Sequence, residues 1–229
     1  MLFADLRGCG RSTRGLPSDQ YTPDAAVADL LALLDASGVR VADVLGFSYG
    51  GLLAQRLTLT RPDRVRRLIV ASSSILPVPP DAYDGWPQAA ALRNRGPSPW
   101  EAAAEPTPEL VRADAVASAD VNVWRAAARP EYLRRVDEIR FSAEWARPFL
   151  AGTLPSARSA DTVARLGAVG LPMLLLHGRY DLGFPASLAI QAAAEIAAAR
   201  SVILPEAGHM AHIDAPEAWL AAVAAFLGA

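Results

Sequence analysis

This chain of 229 residues has a single cysteine, no long apolar run and no excess of positive charge, and each of these features excludes a class of function. Cys9 is the only cysteine, which excludes an internal disulfide and a cysteine-based metal site and favours a reducing, cytoplasmic compartment. No apolar run approaches the roughly 20 residues that cross a bilayer, so we expect no membrane span. The basic residues are all arginine, occur in runs of at most two and leave a formal net charge of −2, which argues against a nucleic-acid partner.

Apolar runs of strand length alternate with helical patterns over residues 1–74 and again after residue 168. This alternation predicts the α/β class, with a mostly parallel sheet and flanking helices. Thr22, Pro23 and Asp24 are typical of a helix start, because they supply a cap, a first-turn proline and an early acid. The predicted strands are residues 2–4, 44–47, 68–71, 172–176 and 201–204, and the predicted helices are residues 22–38, 49–60, 185–199 and 215–227.

The segment between the third and fourth predicted strands has a different composition. Eight prolines occur in 32 residues from Pro77 to Pro108, a density that breaks long strands and helices. Helical patterns resume around residues 109–128, 131–149 and 159–167, and four of the five tryptophans lie in this segment. We therefore predict a core formed by residues 1–74 and 169–229, with an inserted helical cap over residues 75–168.

The run Gly46-Phe47-Ser48-Tyr49-Gly50 fits the pattern G-x-S-x-G, which holds a serine on a strained turn between a strand and a helix. Small residues on either side of such a serine let the backbone fold tightly and expose the hydroxyl group. Ser48 is therefore the candidate nucleophile, and the Tyr49 N–H, at the start of the helix, is the candidate oxyanion donor. The alternative interpretation is a serine in an ordinary tight turn.

A neutral serine needs an imidazole to take its proton, and the chain has three histidines. His209 is the best candidate base, because a loop after the last strand opens on the same sheet edge as Ser48. His177 is interpreted as a residue packed under that edge, and His212 as a residue that starts or braces the final helix.

The base in turn needs a carboxylate that holds its tautomer. Asp181 follows a buried strand directly, and the order Ser48, Asp181, His209 is the one expected for a hydrolase built on such a sheet. Asp214 is a rival, but its spacing from Pro216 and Glu217 predicts that it caps the closing helix instead.

Over residues 2–227 the sequence resembles the α/β-hydrolase superfamily. Residues 46–51 resemble its nucleophile turn, residues 177–181 its acid turn, and Gly208-His209 its histidine loop. Residues 5–12, with Gly-Cys-Gly, resemble the loop after the family's fourth strand and are most similar to proline iminopeptidases. The resemblance implies a Ser-His-Asp triad that needs no metal or organic cofactor, and it leaves the substrate open.

The resemblance also implies strands that precede residue 2. The family has three strands before the loop matched by residues 5–12, and a His-Gly connection after the third carries a second oxyanion donor. We therefore expect Met1 to be a misplaced start and the natural protein to be some tens of residues longer; a genuine short form is the alternative. Without the second donor, turnover should be roughly 100- to 1,000-fold lower.

The expected function is a serine hydrolase acting on a small-molecule carboxylic ester or a related acyl substrate. Serine at position 48 argues against the epoxide hydrolases and dehalogenases of this fold, which carry an aspartate there. A proline iminopeptidase-type aminopeptidase is one alternative, with Glu101 and Glu105 as candidate ligands of a free amine, although solvated charges explain both. A non-catalytic ligand-binding protein is the alternative of another class.

Overall fold

The computed structural model describes residues 1–89 and 97–228, and a parallel sheet of four strands lies at its centre. In spatial order the strands are β1 (Ala42–Phe47), β2 (Val65–Ala71), β3 (Met173–Gly178) and β4 (Ala199–Leu204), with β1 and β4 at the edges. The predicted α/β class is confirmed.

Ten α-helices lie wholly within the described residues, and they are labelled in chain order. Four of them contribute buried residues to the apolar cluster on one face of the sheet, and the last packs on the other face. The helices are α1 (Pro23–Ala36), α2 (Tyr49–Thr60), α3 (Pro108–Ala117), α4 (Ala119–Asn122), α5 (Arg129–Glu138), α6 (Ala146–Leu150), α7 (Thr162–Val169), α8 (Ala186–Glu195), α9 (Ala211–Asp214) and α10 (Pro216–Leu227).

The core has two layers because successive strand residues point to opposite faces of the sheet. Leu68 and Val70 of β2 pack with α1, α2 and α8 on one face. Ile69, between them, packs with α10 on the other face. All three side chains are at most 2% exposed, so the central strands are buried on both sides, as parallel sheets require.

The prediction of a strand at residues 2–4 is wrong. These residues form no strand, and Phe3 is 88% exposed. A strand needs a neighbour that accepts and donates its backbone hydrogen bonds, and the sheet of the described residues begins at β1. A cleft of about 650 Å³ lies here, between residues 3–20 and α1.

Three predicted helices are shorter in the structure. The pattern at residues 131–149 is divided between α5 and α6, because residues 139–145 are not helical. The pattern at residues 109–128 is divided between α3, α4 and a 3₁₀ turn at Ala126–Ala128, because Val123 is extended. The predicted helix at 185–199 ends at Glu195, since the following Ile196 is extended and β4 begins at Ala199. Part of the proline-rich stretch, residues 90–96, lies outside the described residues.

The helices α3 to α7 all lie between β2 and β3 in the chain, and part of this segment forms an apolar cluster that also includes Ile213 of α9. Val123, Tyr132 and Val136 are buried in it. The segment is tied to the N-terminal loop by the Trp145 indole N–H, which donates to the Arg7 carbonyl at 2.7 Å. Among the described residues, no helix is both long enough and apolar enough to cross a membrane.

Candidate active site

Ser48 lies on a strained turn between β1 and α2. Its φ of 52° and ψ of −120° are in a region that side chains other than glycine rarely adopt, at a cost of about 1–3 kcal/mol. The Ser48 N–H donates to the Ala71 carbonyl at 2.9 Å, and the Ser48 carbonyl accepts from the Gly51 N–H at 2.9 Å. These bonds hold the turn, and Tyr49 becomes the first residue of α2.

The glycines around Ser48 have unequal roles. A Cβ on Gly46 would lie 2.2 Å from the Gly50 carbonyl oxygen, so this position requires glycine. A Cβ on Gly51 would lie 2.5 Å from the Ser73 Cβ, whereas one on Gly50 would meet nothing within 4 Å. The sequence motif emphasises Gly46 and Gly50, but the close packing in this structure is at Gly46 and Gly51.

The side chains of Ser48, His209 and Asp181 meet at the carboxyl edge of the sheet. His209 Nε2 lies 3.1 Å from Ser48 Oγ, and Nδ1 lies 3.0 and 3.1 Å from the two Asp181 carboxyl oxygens. A carboxylate only accepts hydrogen bonds, so the favoured tautomer carries its proton on Nδ1 and leaves Nε2 free to accept from the serine hydroxyl.

Asp181 is fully buried and held firmly. Its Oδ1 accepts from the Gly183 N–H at 2.8 Å and from the Phe184 N–H at 2.9 Å, in addition to its contact with His209. His177 lies behind it, with Nδ1 4.0 Å from Oδ2. Burial lowers the pKa of His177, which keeps its imidazole neutral beside the carboxyl group.

Aromatic rings surround the imidazole of His209. The Phe47 ring lies 5.1 Å from it, and the Phe184 ring stacks on it at 6.1 Å. The third histidine, His212, packs edge-on against Phe47 at 5.1 Å and against Trp219 at 5.9 Å. Burial lowers the pKa of His212 to about 4, so this ring is uncharged at neutral pH.

The prediction that Asp214 caps the closing helix is wrong. The N-cap of α10 is Ala215, and no side chain caps that helix. The Asp214 side chain is buried and instead accepts hydrogen bonds from three backbone N–H groups, those of Trp124, Arg125 and Gly208. Backbone N–H groups are not marked by any particular residue type, so the sequence pattern does not reveal this contact.

The single cysteine and the two candidate amine ligands lie apart from this group. Cys9 is half-buried in the N-terminal loop, and burial raises the pKa of its thiol. Glu101 and Glu105 are exposed, and Glu101 accepts from the Ser98 hydroxyl at 2.8 Å. Within residues 1–89 and 97–228, no group of three or more His, Cys, Asp or Glu side chains could hold a metal ion.

Comparison with protein families gives a match to the α/β hydrolase fold model over residues 2–216. The chain belongs to this family. The relatives of this chain are named as hydrolases, and the chain is an α/β-hydrolase enzyme.

The similarity to three of the related proteins extends over most of their length. The chain is 28% identical over 228 residues to a protein that carries the name carbamate hydrolase RutD from Pseudomonas syringae, covering 99% of this chain and 83% of that protein. It is 27% identical to 2-hydroxymuconate semialdehyde hydrolase from Pseudomonas sp. CF600, covering 99% and 76%. A solved hydrolase structure from Pseudomonas aeruginosa has 32% identity and a TM-score of 0.71, covering 98% and 78%.

Proposed function

We propose that this enzyme is a serine hydrolase that cleaves small-molecule carboxylic esters or related acyl substrates through Ser48, His209 and Asp181. The single observation that carries the proposal is the continuous contact from Ser48 Oγ to His209 Nε2 and from Nδ1 to Asp181, with every distance between 3.0 and 3.1 Å. Because a neutral serine is a weak nucleophile, this contact supplies the base that the chemistry needs.

In the first half-reaction, Ser48 Oγ attacks the carbonyl carbon and its proton passes to His209 Nε2. The tetrahedral oxyanion is stabilised by the Tyr49 N–H, one of the N-terminal helix donors that lack a partner within their own helix. The Asp181 carboxylate stabilises the imidazolium that forms. Collapse of the intermediate breaks the ester bond, and the proton on Nε2 passes to the departing alcohol.

In the second half-reaction, water attacks the acyl-enzyme. His209 Nε2 takes a proton from the water and then returns it to Ser48 Oγ as the acid product leaves. Because the base works only when its imidazole is neutral, we expect activity to fall in acid.

We also propose that residues 75–168 form a cap over a core made of residues 1–74 and 169–229. Support comes from the position of α3 to α7 between β2 and β3, and from their apolar cluster.

A small-molecule substrate agrees with the names of the relatives, which are hydrolases of a carbamate and of a semialdehyde. An aminopeptidase has less support, because Glu101 and Glu105 are exposed and Glu101 already binds Ser98.

The proposal is tested with a fluorophosphonate probe that reacts covalently with activated serines. We expect the wild-type protein to be labelled and Ser48→Ala not to be labelled, with both equally folded by circular dichroism. A folded wild-type protein that stays unlabelled would favour the ligand-binding alternative. Hydrolysis rates for short p-nitrophenyl esters and for proline arylamides then separate the esterase from the aminopeptidase.

A further inference from the structure

The buried carboxyl group of Asp214 connects two parts of the chain that are 89 to 90 residues apart. Its Oδ2 accepts from the Trp124 N–H at 2.9 Å and from the Gly208 N–H at 2.8 Å, and its Oδ1 accepts from the Arg125 N–H at 2.8 Å. The Asp214 side chain is 0% exposed. One carboxyl group therefore holds the segment after α4 against the residue that precedes His209.

Further contacts bring the same two segments together. The Met210 N–H, directly after His209, donates to the Asn122 carbonyl at 2.7 Å. A Cβ on Gly208 would lie 3.1 Å from the Trp124 backbone nitrogen, so the two backbones already touch. Ile213 is buried in the apolar cluster formed mainly by α4 and α5. The loop around His209 is thus packed into the helical segment on one side.

Trp124 also contacts the segment that carries Asp181. Its indole ring stacks on the Tyr180 ring, with centroids 3.7 Å apart and planes 12° from parallel. Tyr180 directly precedes Asp181, and its N–H donates to the Ala207 carbonyl at 2.9 Å. Trp124, which Asp214 holds, is therefore packed against the residue that precedes the partner of His209.

These contacts do not fit a simple ion pair. The carboxyl oxygens of Asp214 bind backbone N–H groups, and the Arg125 guanidinium binds the Asp214 backbone carbonyl at 2.7 Å. Three donors converge on two acceptor oxygens, a set that a carboxylate satisfies and that an amide cannot, because an amide NH₂ only donates. These three hydrogen bonds therefore require a carboxylate at position 214, and together they hold the two backbone segments in place.

We propose that Asp214 is a positioning residue that fixes His209 against Ser48 and Asp181 by joining the loop before His209 to the helical segment at Trp124–Arg125. This inference rests on the proposed function, since it concerns the same site. Docking of the helical segment and alignment of the imidazole then depend on one buried group. Misplacement of a catalytic group by about 1 Å can cost on the order of 100-fold in rate.

The test is Asp214→Asn in the full chain, with Asp137→Asn as the matched control, because Asp137 lies on α5 in an exposed pair with Arg112. For each protein, kcat and KM are measured on a short p-nitrophenyl ester, together with the rate of fluorophosphonate labelling. Hydrogen exchange at the Gly208, Trp124 and Arg125 amides reports the three bonds directly. Arg125→Ala is the second variant if Asp214→Asn does not fold.

We expect Asp214→Asn to lower kcat by about 10- to 100-fold, with KM changed less than about threefold and faster exchange at all three amides. Arg125→Ala should lower kcat in the same sense by a smaller factor, and Asp137→Asn should match the wild type. A variant that loses thermal stability but keeps its kcat, or one in which only KM rises, would overturn the inference. An unlabelled wild-type protein would instead refute the proposed function.

Discussion

Asp181 and Asp214, at the carboxyl edge of the sheet, have fully buried side chains, whereas those of Glu131 and Asp137, on α5, are 40% and 64% exposed. All four groups accept hydrogen bonds, but from different donors. At the sheet edge five of the bonds come from backbone N–H groups, whose positions the fold determines. On α5 the donors are flexible arginine side chains.

This comparison shows which carboxyl groups determine the position of the backbone and which do not. A buried carboxyl group that loses its donors bears the full cost of desolvation, so each bond at the sheet edge constrains the backbone. An exposed pair exchanges its partner for water at little cost. We therefore expect substitutions at the sheet edge to alter activity or folding strongly, and isosteric substitutions on α5 to do neither.

The largest effect is expected for Asp181→Asn. The amide keeps an oxygen for the Gly183 and Phe184 N–H groups, but its NH₂ group can donate to His209 Nδ1 and favour the tautomer with the proton on Nε2. That tautomer cannot accept the Ser48 proton. We expect kcat to fall about 10⁴-fold with the thermal midpoint nearly unchanged. Steady-state kinetics of Asp181→Asn, with Asp137→Asn as the control, measure this effect. A loss of kcat under tenfold would contradict the proposed role.

A second comparison is available within α2, between two adjacent glycines. A Cβ on Gly51 would press on the buried Ser73, so Gly51→Ala should destabilise the protein by about 1–3 kcal/mol. Gly50→Ala has room, and should be neutral or stabilise the helix by up to about 1 kcal/mol. Urea unfolding measures both variants.

The double variant Gly51→Ala with Ser73→Gly removes the obstructing atoms and provides the control. It should recover part of the stability lost by Gly51→Ala alone. Equal stability of Gly50→Ala and Gly51→Ala would show that the packing against Ser73 has no energetic weight.

Much of the fold could be predicted because its signals are local. The turn at Ser48, the start of α1 at Pro23 and the buried strands each depend on residues next to one another in the chain. The approach of Ser48, Asp181 and His209 could also be anticipated, since the carboxyl ends of parallel strands share one sheet edge. Their catalytic roles stay predictions.

What could not be predicted depends on partners distant in the chain. The apolar run at residues 2–4 has strand composition, yet it forms no strand because the described residues offer it no neighbour. Asp214 has the spacing of a helix cap, yet backbone donors at Trp124 and Arg125 bind it instead. Backbone N–H groups are present at nearly every residue, so their use leaves no mark in the sequence.

A smaller effect is expected from pH on stability. His212 has a folded-state pKa of about 4 because of burial, against about 6.5 for an unfolded histidine. Between these values the unfolded chain binds a proton that the folded chain excludes, so stability falls as pH falls. From pH 7 to pH 5 we expect this group to cost about 2 kcal/mol, and His177 acts in the same direction.

Urea unfolding at pH 7 and pH 5 measures this loss, and His212→Phe is the control because it keeps an aromatic ring against Phe47 and Trp219. The variant should lose less stability than the wild type on acidification. The pH window lies above the range in which Asp24 and Asp43 titrate, since their arginine partners lower the pKa values of these carboxyl groups. An identical loss in both proteins would refute the assignment to His212.

The smallest effect is expected for Glu131→Gln, although Glu131 contacts both Arg134 and Arg135. Hydrogen bonds from these arginines lower the pKa of Glu131 to about 2. On a buried group, a pKa shift of this size would mean a strong contribution to stability. Here water and salt screen the charges, and long side chains lose entropy when they pair. We expect a change in thermal midpoint under about 1 °C at physiological salt, with unchanged kcat. A larger loss would mean that α5 is held by its surface charges rather than by Tyr132 and Val136, which are buried beneath them.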